Sequence, residues 1–278
     1  VVEPCANGIG SDAFAIVSDS TGLHGMNASG KSPALYDGSE ITPTGWSPVT
    51  IPGAVSGWVA LSEKFGELDF GTLFEPAMGY AINGFHVSRQ TAKGWKRAVD
   101  RYAEFKTWQR TFTTDGVPPR VGELVKFPDH ATTLQEIADT KGESFYRGRL
   151  ATQMHETSVT EGGLLRFDDL ASHTCTWVDP IGINCGENTL YELPPNGQGI
   201  AALIAMGILQ LLDADLSACD TPELLHLQIE SMKRAFSDAH AFVADPTVTG
   251  TCEDLLESDR LKEHATSIST SAVDCDQE

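Results

Sequence analysis

Asn7-Gly8-Ile9-Gly10-Ser11-Asp12-Ala13-Phe14 is followed in order by Ile51-Pro52-Gly53-Ala54-Val55-Ser56-Gly57-Trp58 and by Leu193-Pro194-Pro195-Asn196-Gly197-Gln198-Gly199. Gly8 and Gly10 allow backbone amides to approach a neighbouring segment where a side chain would collide. The pair lacks the third glycine of GxGxxG, and Glu3-Pro4-Cys5 does not read as the first strand of a dinucleotide fold. The loop therefore reads as packing of a sheet and not as a phosphate cradle. Immediately after it, Phe14 to Ser18 and Leu23 to Met26 read as strands joined by the turn Asp19-Ser20-Thr21-Gly22.

The proline- and glycine-rich stretch from Gly45 to Gly57 reads as a fixed loop before a helix from Trp58 to Phe65, ended by Gly66. A helical arm follows: Phe70 to Asn83, closed by Gly84; Ser88 to Trp108, with Ser88 as cap; Ala131 to Asp139, capped by Asp129; and Glu143 to Glu161. Trp177 to Leu193 reads as extended segments around Gly186-Glu187-Asn188. Ile200 to Leu212 reads as a helix buried on most sides, and Pro222 to Val243 as a longer amphipathic one. On that last helix Arg234 and Asp238 stand one turn apart and are expected to pair. The chain reads as a single domain over 1–278, incomplete at both ends, with 267–278 expected to be mobile.

The 278 residues carry 39 acidic against 19 basic side chains, a formal charge of −20 that repels phosphate backbones and anionic lipid. Nucleic-acid and membrane-surface binding are thereby disfavoured, and small molecules are the expected partners. Six cysteines without a CxxC suggest neither a zinc ribbon nor a dense disulfide framework. His155-Glu156 fails the HExxH spacing at Val159, so neither a metal nor a cofactor is expected. Ser56 sits outside a GxSxG elbow, and helical-turn geometry accounts for it. No signal-peptide pattern and no membrane-spanning run is seen; the compartment is left open, and the abrupt opening at Val1 suggests an upstream element.

The three opening stretches, together with Glu75-Pro76-Ala77 through Asn83-Gly84-Phe85-His86-Val87-Ser88, Phe145-Tyr146-Arg147-Gly148, and Glu161-Gly162-Gly163-Leu164 with Asp168-Asp169-Leu170, keep a shared order and spacing. Together they resemble the large chain of the gamma-glutamyltransferase family over almost the whole sequence. The resemblance implies an α+β fold, the αββα layered sandwich of the N-terminal-nucleophile hydrolases, of which this chain is the helix-rich large-chain portion. It also implies autoproteolytic processing, a heterodimer with a small chain that begins at the attacking threonine, and a place near glutathione metabolism. No residue here is then expected to be catalytic; this chain would supply a wall of the substrate site. Most of the matching motifs read as structural, with Asp168 or Asp169 capping a short helix.

In family members that act as transpeptidases, an arginine after the first hairpin grips the substrate's α-carboxylate. The corresponding stretch here is Asn27-Ala28-Ser29-Gly30-Lys31-Ser32-Pro33, with Ser29 aligned to that arginine. A serine lacks the two-pronged cationic fork that a carboxylate prefers. Lys31, two positions on and on the same face of an extended segment, partly restores the charge; a solvated loop lysine is the alternative. Gln198 is a pocket candidate, against the duller role of capping the helix at Ile200. The substrate-binding candidates are thus Asn27, Ser29, Lys31 and Gln198. With Pro194 to Gly199, the pattern is similar to the family's acylases and amidohydrolases, implying hydrolysis of an amide of a small acidic acyl group. A true gamma-glutamyl transpeptidase of glutathione-type substrates, and a non-catalytic relative that binds a small acid, are the alternatives.

Overall fold

The computed structural model describes residues 1–6, 8–212 and 221–273. They form two compact units: Val1–Ala13 with Ala28–Cys175, and Phe14–Asn27 with Thr176–Glu278. The hairpin forms as expected. Strand β1 (Ala13–Asp19) pairs with β2 (Gly22–Ala28), and Gly22 at φ 135° occupies backbone space that L side chains rarely adopt.

In the first unit, α1 (Ala54–Phe65) begins four residues before the expected start, directly out of Gly53. A 3-10 turn (Gly71–Phe74) runs into α2 (Glu75–Asn83), which stops at Gly84 (φ 96°). β3 (Phe85–His86) follows, and then α3 (Arg89–Arg101), whose cap Ser88 accepts a hydrogen bond from the Thr91 amide. The single helix expected to Trp108 is broken at Tyr102, and α4 (Lys106–Phe112) starts afresh. β4 (Leu124–Val125) pairs antiparallel with β3.

Helix α5 (Pro128–Thr140) starts at a proline, whose missing N–H is no loss in a first turn; Asp129 lies within that turn and does not cap it. The expected helix Glu143 to Glu161 is two, α6 (Glu143–Arg147) and α7 (Arg149–Thr160), parted at Gly148. A Cβ at Gly148 would meet the Ser144 Cα at 2.8 Å. The short α8 (Phe167–Ala171) closes the unit.

In the second unit, β5 (Thr176–Val178) pairs antiparallel with β2, making the three-stranded sheet β1-β2-β5. β6 (Ile181–Cys185) and β7 (Asn188–Glu192) form a ribbon turning at Gly186 (φ 63°). Helix α9 (Ile200–Leu211) is the apolar axis of this unit. Ile200, Leu203, Ile204 and Ile208 are fully buried, each such side chain contributing roughly 1.5–3 kcal/mol. Gly207 admits Leu261 and Ile183 against its backbone.

Against α9 pack α10 (Pro222–Phe242) and α12 (Ser258–Ser267), with the short α11 (Pro246–Thr249) between them in the chain. The expected Arg234–Asp238 pair does not form. Arg234 donates instead to Glu230 at 2.7 Å, while Asp238 receives Arg260 in a two-pronged grip at 2.7 and 2.8 Å and His264 Nε2 at 2.8 Å. Both acids are buried. α12 presents a guanidinium and an imidazole to Asp238, so the carboxylate turns to them and not along its own helix. The last described residues hydrogen-bond to α10 through His226 with Ser269 O and Lys233 with Val273 O. Residues 274–278 of the stretch read as mobile, with Cys219, Cys275 and Asn7, lie outside the described residues.

Burial alone would raise the Asp238 pKa, but the hydrogen bonds and charges of Arg260 and His264 outweigh it and hold the carboxyl below its ordinary value. Its contribution is then complete above the unfolded value of about 4 and is lost as pH falls below it. Asp238→Ala leaves Arg260 and His264 facing an uncompensated site. It is expected to cost about 3 kcal/mol in urea unfolding at neutral pH, with the gap to wild type closing in acid.

Candidate functional site

The segment that carries Ser29 and Lys31 lies backbone to backbone against Ile51–Gly53. The Ile51 amide donates to Lys31 O at 3.0 Å. A Cβ at Gly30 would fall 1.5 Å from Ile51 O, and one at Gly53 would fall 2.0 Å from Ala28 O. Neither position admits a side chain, because the obstacle in each case is main chain. Two carboxylates fix the segment further: Asp12 accepts from the Gly30 amide at 3.1 Å, and Asp169 accepts from the Ala34 amide at 2.9 Å. Asp169 also accepts from the Arg166 amide at 2.8 Å, so the expected acidic cap of α8 is real and doubles as an anchor of this loop. Ser29 is half-buried and Lys31 is exposed.

Behind Gly53, the first turn of α1 enters a polar network that the sequence reading did not assemble. Ser56 Oγ donates to Gly53 O at 2.7 Å and lies 2.9 Å from His173 Nε2. A hydroxyl has one proton, so with that proton on Gly53 O the imidazole must be the donor, which fixes its proton on Nε2. The Ser56 amide donates to Tyr146 Oη at 3.0 Å, and Tyr146 in turn donates to Pro52 O at 2.7 Å. The Tyr146 and His173 rings stack at 5.1 Å.

Tyr146 therefore stays a donor: burial pushes its pKa up to about 12. Burial also lowers the His173 pKa; Asp12 opposes this and Arg147 adds to it. Ser56 is consequently a strut beneath the Pro52–Gly53 peptide, as the helical-turn reading expected. Tyr146 was quoted only within a motif and His173 not at all, since their meeting with Ser56 joins positions 56, 146 and 173, which no local spacing connects.

The other two candidates belong to the second unit. Asn27, on β2, donates through Nδ2 to Asn196 Oδ1 at 2.8 Å, which joins the strand to the Pro194–Gly199 loop. Gln198 is exposed, and its carbonyl accepts from the Ala201 amide at 3.0 Å. α9 has no side-chain cap, so the helix-capping role weighed for Gln198 is not used. Among the described residues no three His, Cys, Asp or Glu side chains gather as a metal site. The first unit also holds an apolar cavity of about 920 Å³, walled by Gly8 and Gly10, the α1 side chains Trp58 and Phe65, and Phe74; neither Ser29 nor Lys31 lines it.

The family model for gamma-glutamyltranspeptidase matches residues 1–277. The chain belongs to that family. Its fold is the α+β fold of the N-terminal-nucleophile hydrolases: the crystal structure of cephalosporin acylase from Bacillus halodurans superposes with a TM-score of 0.92 at 40% identity, covering 97% of this chain and 53% of that one. The glutathione hydrolase-like YwrD proenzyme of Bacillus subtilis (strain 168) is 29% identical over 98% of this chain and 54% of its own length. The oxamate amidohydrolase proenzyme of Klebsiella pneumoniae is 28% identical over 88% of this chain and 49% of its own. The chain thus spans about half the length of the curated relatives it matches.

Two outcomes follow from the network. Tyr146→Phe strands the Ser56 amide and Pro52 O and is expected to cost about 1–3 kcal/mol by urea unfolding, with Gly30→Ala costing at least as much. The folded protein resists protonating His173 below about pH 6.5, where the unfolded chain takes up that proton. Stability is therefore lost as pH falls from about 7 toward 5, and His173→Gln is expected to flatten that part of the unfolding profile.

Proposed function

We propose that this chain is the large-chain part of an N-terminal-threonine amidohydrolase or acylase that cleaves an amide of a small acidic acyl group. The nucleophile is assigned to a small-chain region. There the threonine hydroxyl adds to the amide carbonyl while its proton passes to the free α-amine, the leaving amine departs with that proton, and water then attacks the acyl ester to release the acid. The observation that carries the reading is the pinned loop with Ser29 and Lys31 in place of an arginine. A single ammonium suits one carboxylate as a point charge, without the paired geometry a guanidinium offers. Likeness to a cephalosporin acylase and to an oxamate amidohydrolase supports the same choice. Asn27, Ser29 and Gln198 complete the proposed substrate contacts.

The second reading, a gamma-glutamyl transpeptidase acting on glutathione-type substrates, is favoured by the likeness to a glutathione hydrolase-like protein. It is disfavoured by Ser29. A non-catalytic relative binding a small acid is the third.

A panel of gamma-glutamyl, glutaryl and oxamate amides offered to the complete processed protein separates the three. Hydrolysis without an acceptor is expected; turnover of a glutamyl anilide that rises steeply with dipeptide acceptors would favour the transpeptidase, and none at all the non-catalytic reading. Lys31→Ala is expected to raise KM about tenfold for an acidic acyl substrate, the size of a lost charge-assisted hydrogen bond, and to leave a neutral analogue nearly unchanged.

A further inference from the structure

Seven of the nineteen Lys and Arg residues lie between positions 89 and 110, against only Asp100 and Glu104, in a chain whose overall charge is −20. Four of them, Arg89, Lys93, Arg97 and Arg101, recur every fourth residue of α3 and so share one face. All four are exposed, and among the described residues none has a carboxylate within ion-pair distance. Like charges at this spacing destabilise a helix, and a surface rich in acids leaves them unmatched.

The C-terminal half of this stripe edges a cleft of about 360 Å³ between α3 and α4, lined by Arg97 and Arg101 with Trp95, Tyr102, Trp108 and Phe112. Tyr102 and Trp108 stand with ring centroids 5.3 Å apart, and Trp108 and Phe112 5.4 Å apart. Trp95 is held in place by its indole N–H, which donates to Phe112 O at 2.7 Å. Gly94 also lines the cleft, and a Cβ there would meet Cys5 Sγ, another lining group, at 3.0 Å. The Arg101 guanidinium lies 5.8 Å from the Tyr102 ring centroid and donates to Pro43 O at 3.1 Å, contacts that orient it without neutralising it.

From this arrangement we propose that the α3–α4 cleft binds a small planar aromatic anion, a carboxylate or sulfonate, with its ring among the aromatic walls and its charge on Arg97 and Arg101. The size fits a small-molecule site, and aromatic side chains lining the same cleft as two exposed arginines suit a flat anion. A nucleic acid or lipid surface would extend beyond the stripe into the acidic surroundings, since the cations act over only about 8 Å at physiological salt. The proposal is independent of the reaction proposed above.

Calorimetric titration of the complete two-chain protein with 2-naphthoate tests it, beside 2-naphthamide as the uncharged shape and a glutamate octapeptide. Naphthoate is expected to bind at one site, at least about tenfold more tightly than naphthamide. Binding is expected to weaken at least about tenfold in Arg97→Gln/Arg101→Gln and to be largely retained in Arg97→Lys/Arg101→Lys, with amide hydrolysis unchanged in both. Equal affinity for the amide, or equal affinity in the Gln variant, would overturn the assignment. Arginine-dependent binding of the octapeptide without binding of naphthoate would also overturn it, making the stripe a surface for acidic peptides.

Discussion

The contact between the main chain at 28–31 and the main chain at 51–53 is the constraint on which the first unit's candidate site depends. Gly30 and Gly53 are each placed where a single added carbon would penetrate a carbonyl group of the opposing segment. Everything nearby serves that approach. Asp12 and Asp169 hold one side through amides, while Tyr146 and Ser56 hold the other through the Pro52 and Gly53 carbonyls, with His173 on the Ser56 hydroxyl. The two sides are braced independently, each through main-chain groups of the segment it holds.

Much of this fold was legible because local chemistry decides it. The hairpin turn, the Ser88 cap, the Gly84 stop and the apolar α9 follow from residue types acting within a few positions of themselves. What local chemistry does not decide was misread. Arg234 and Asp238 have suitable spacing, but Arg260 and His264 come from α12, and a bidentate guanidinium outcompetes a same-helix neighbour. The run Glu143 to Glu161 is interrupted at Gly148, a glycine where an added Cβ would meet the preceding turn, and the run Ser88 to Trp108 breaks at Tyr102, where no glycine or proline marks the stop.

The candidate site divides along the same line. The stretch containing Ser29 and Lys31 could be singled out from its motif, and an acidic cap of α8 could be narrowed to Asp168 or Asp169, of which the structure uses Asp169. The role of Asp169 in fixing Ala34, across 135 positions, and the Asn27–Asn196 bond, across 169, have no trace in spacing. His173 illustrates this most plainly: in sequence it is a lone histidine between Ser172 and Thr174, and only the packing of Tyr146 and Ser56 around it gives it a fixed proton.

The anchors of the 28–34 loop fall on the amides of Gly30 and Ala34 and the carbonyl of Lys31, atoms that every amino acid other than proline possesses. The side chain at position 31 can therefore be exchanged while the ribbon bearing it keeps its course. A scaffold fastened in this way separates heritable shape from selectable chemistry: the residue at position 31 can drift through a few codons without the drift having to be repaired elsewhere in the fold.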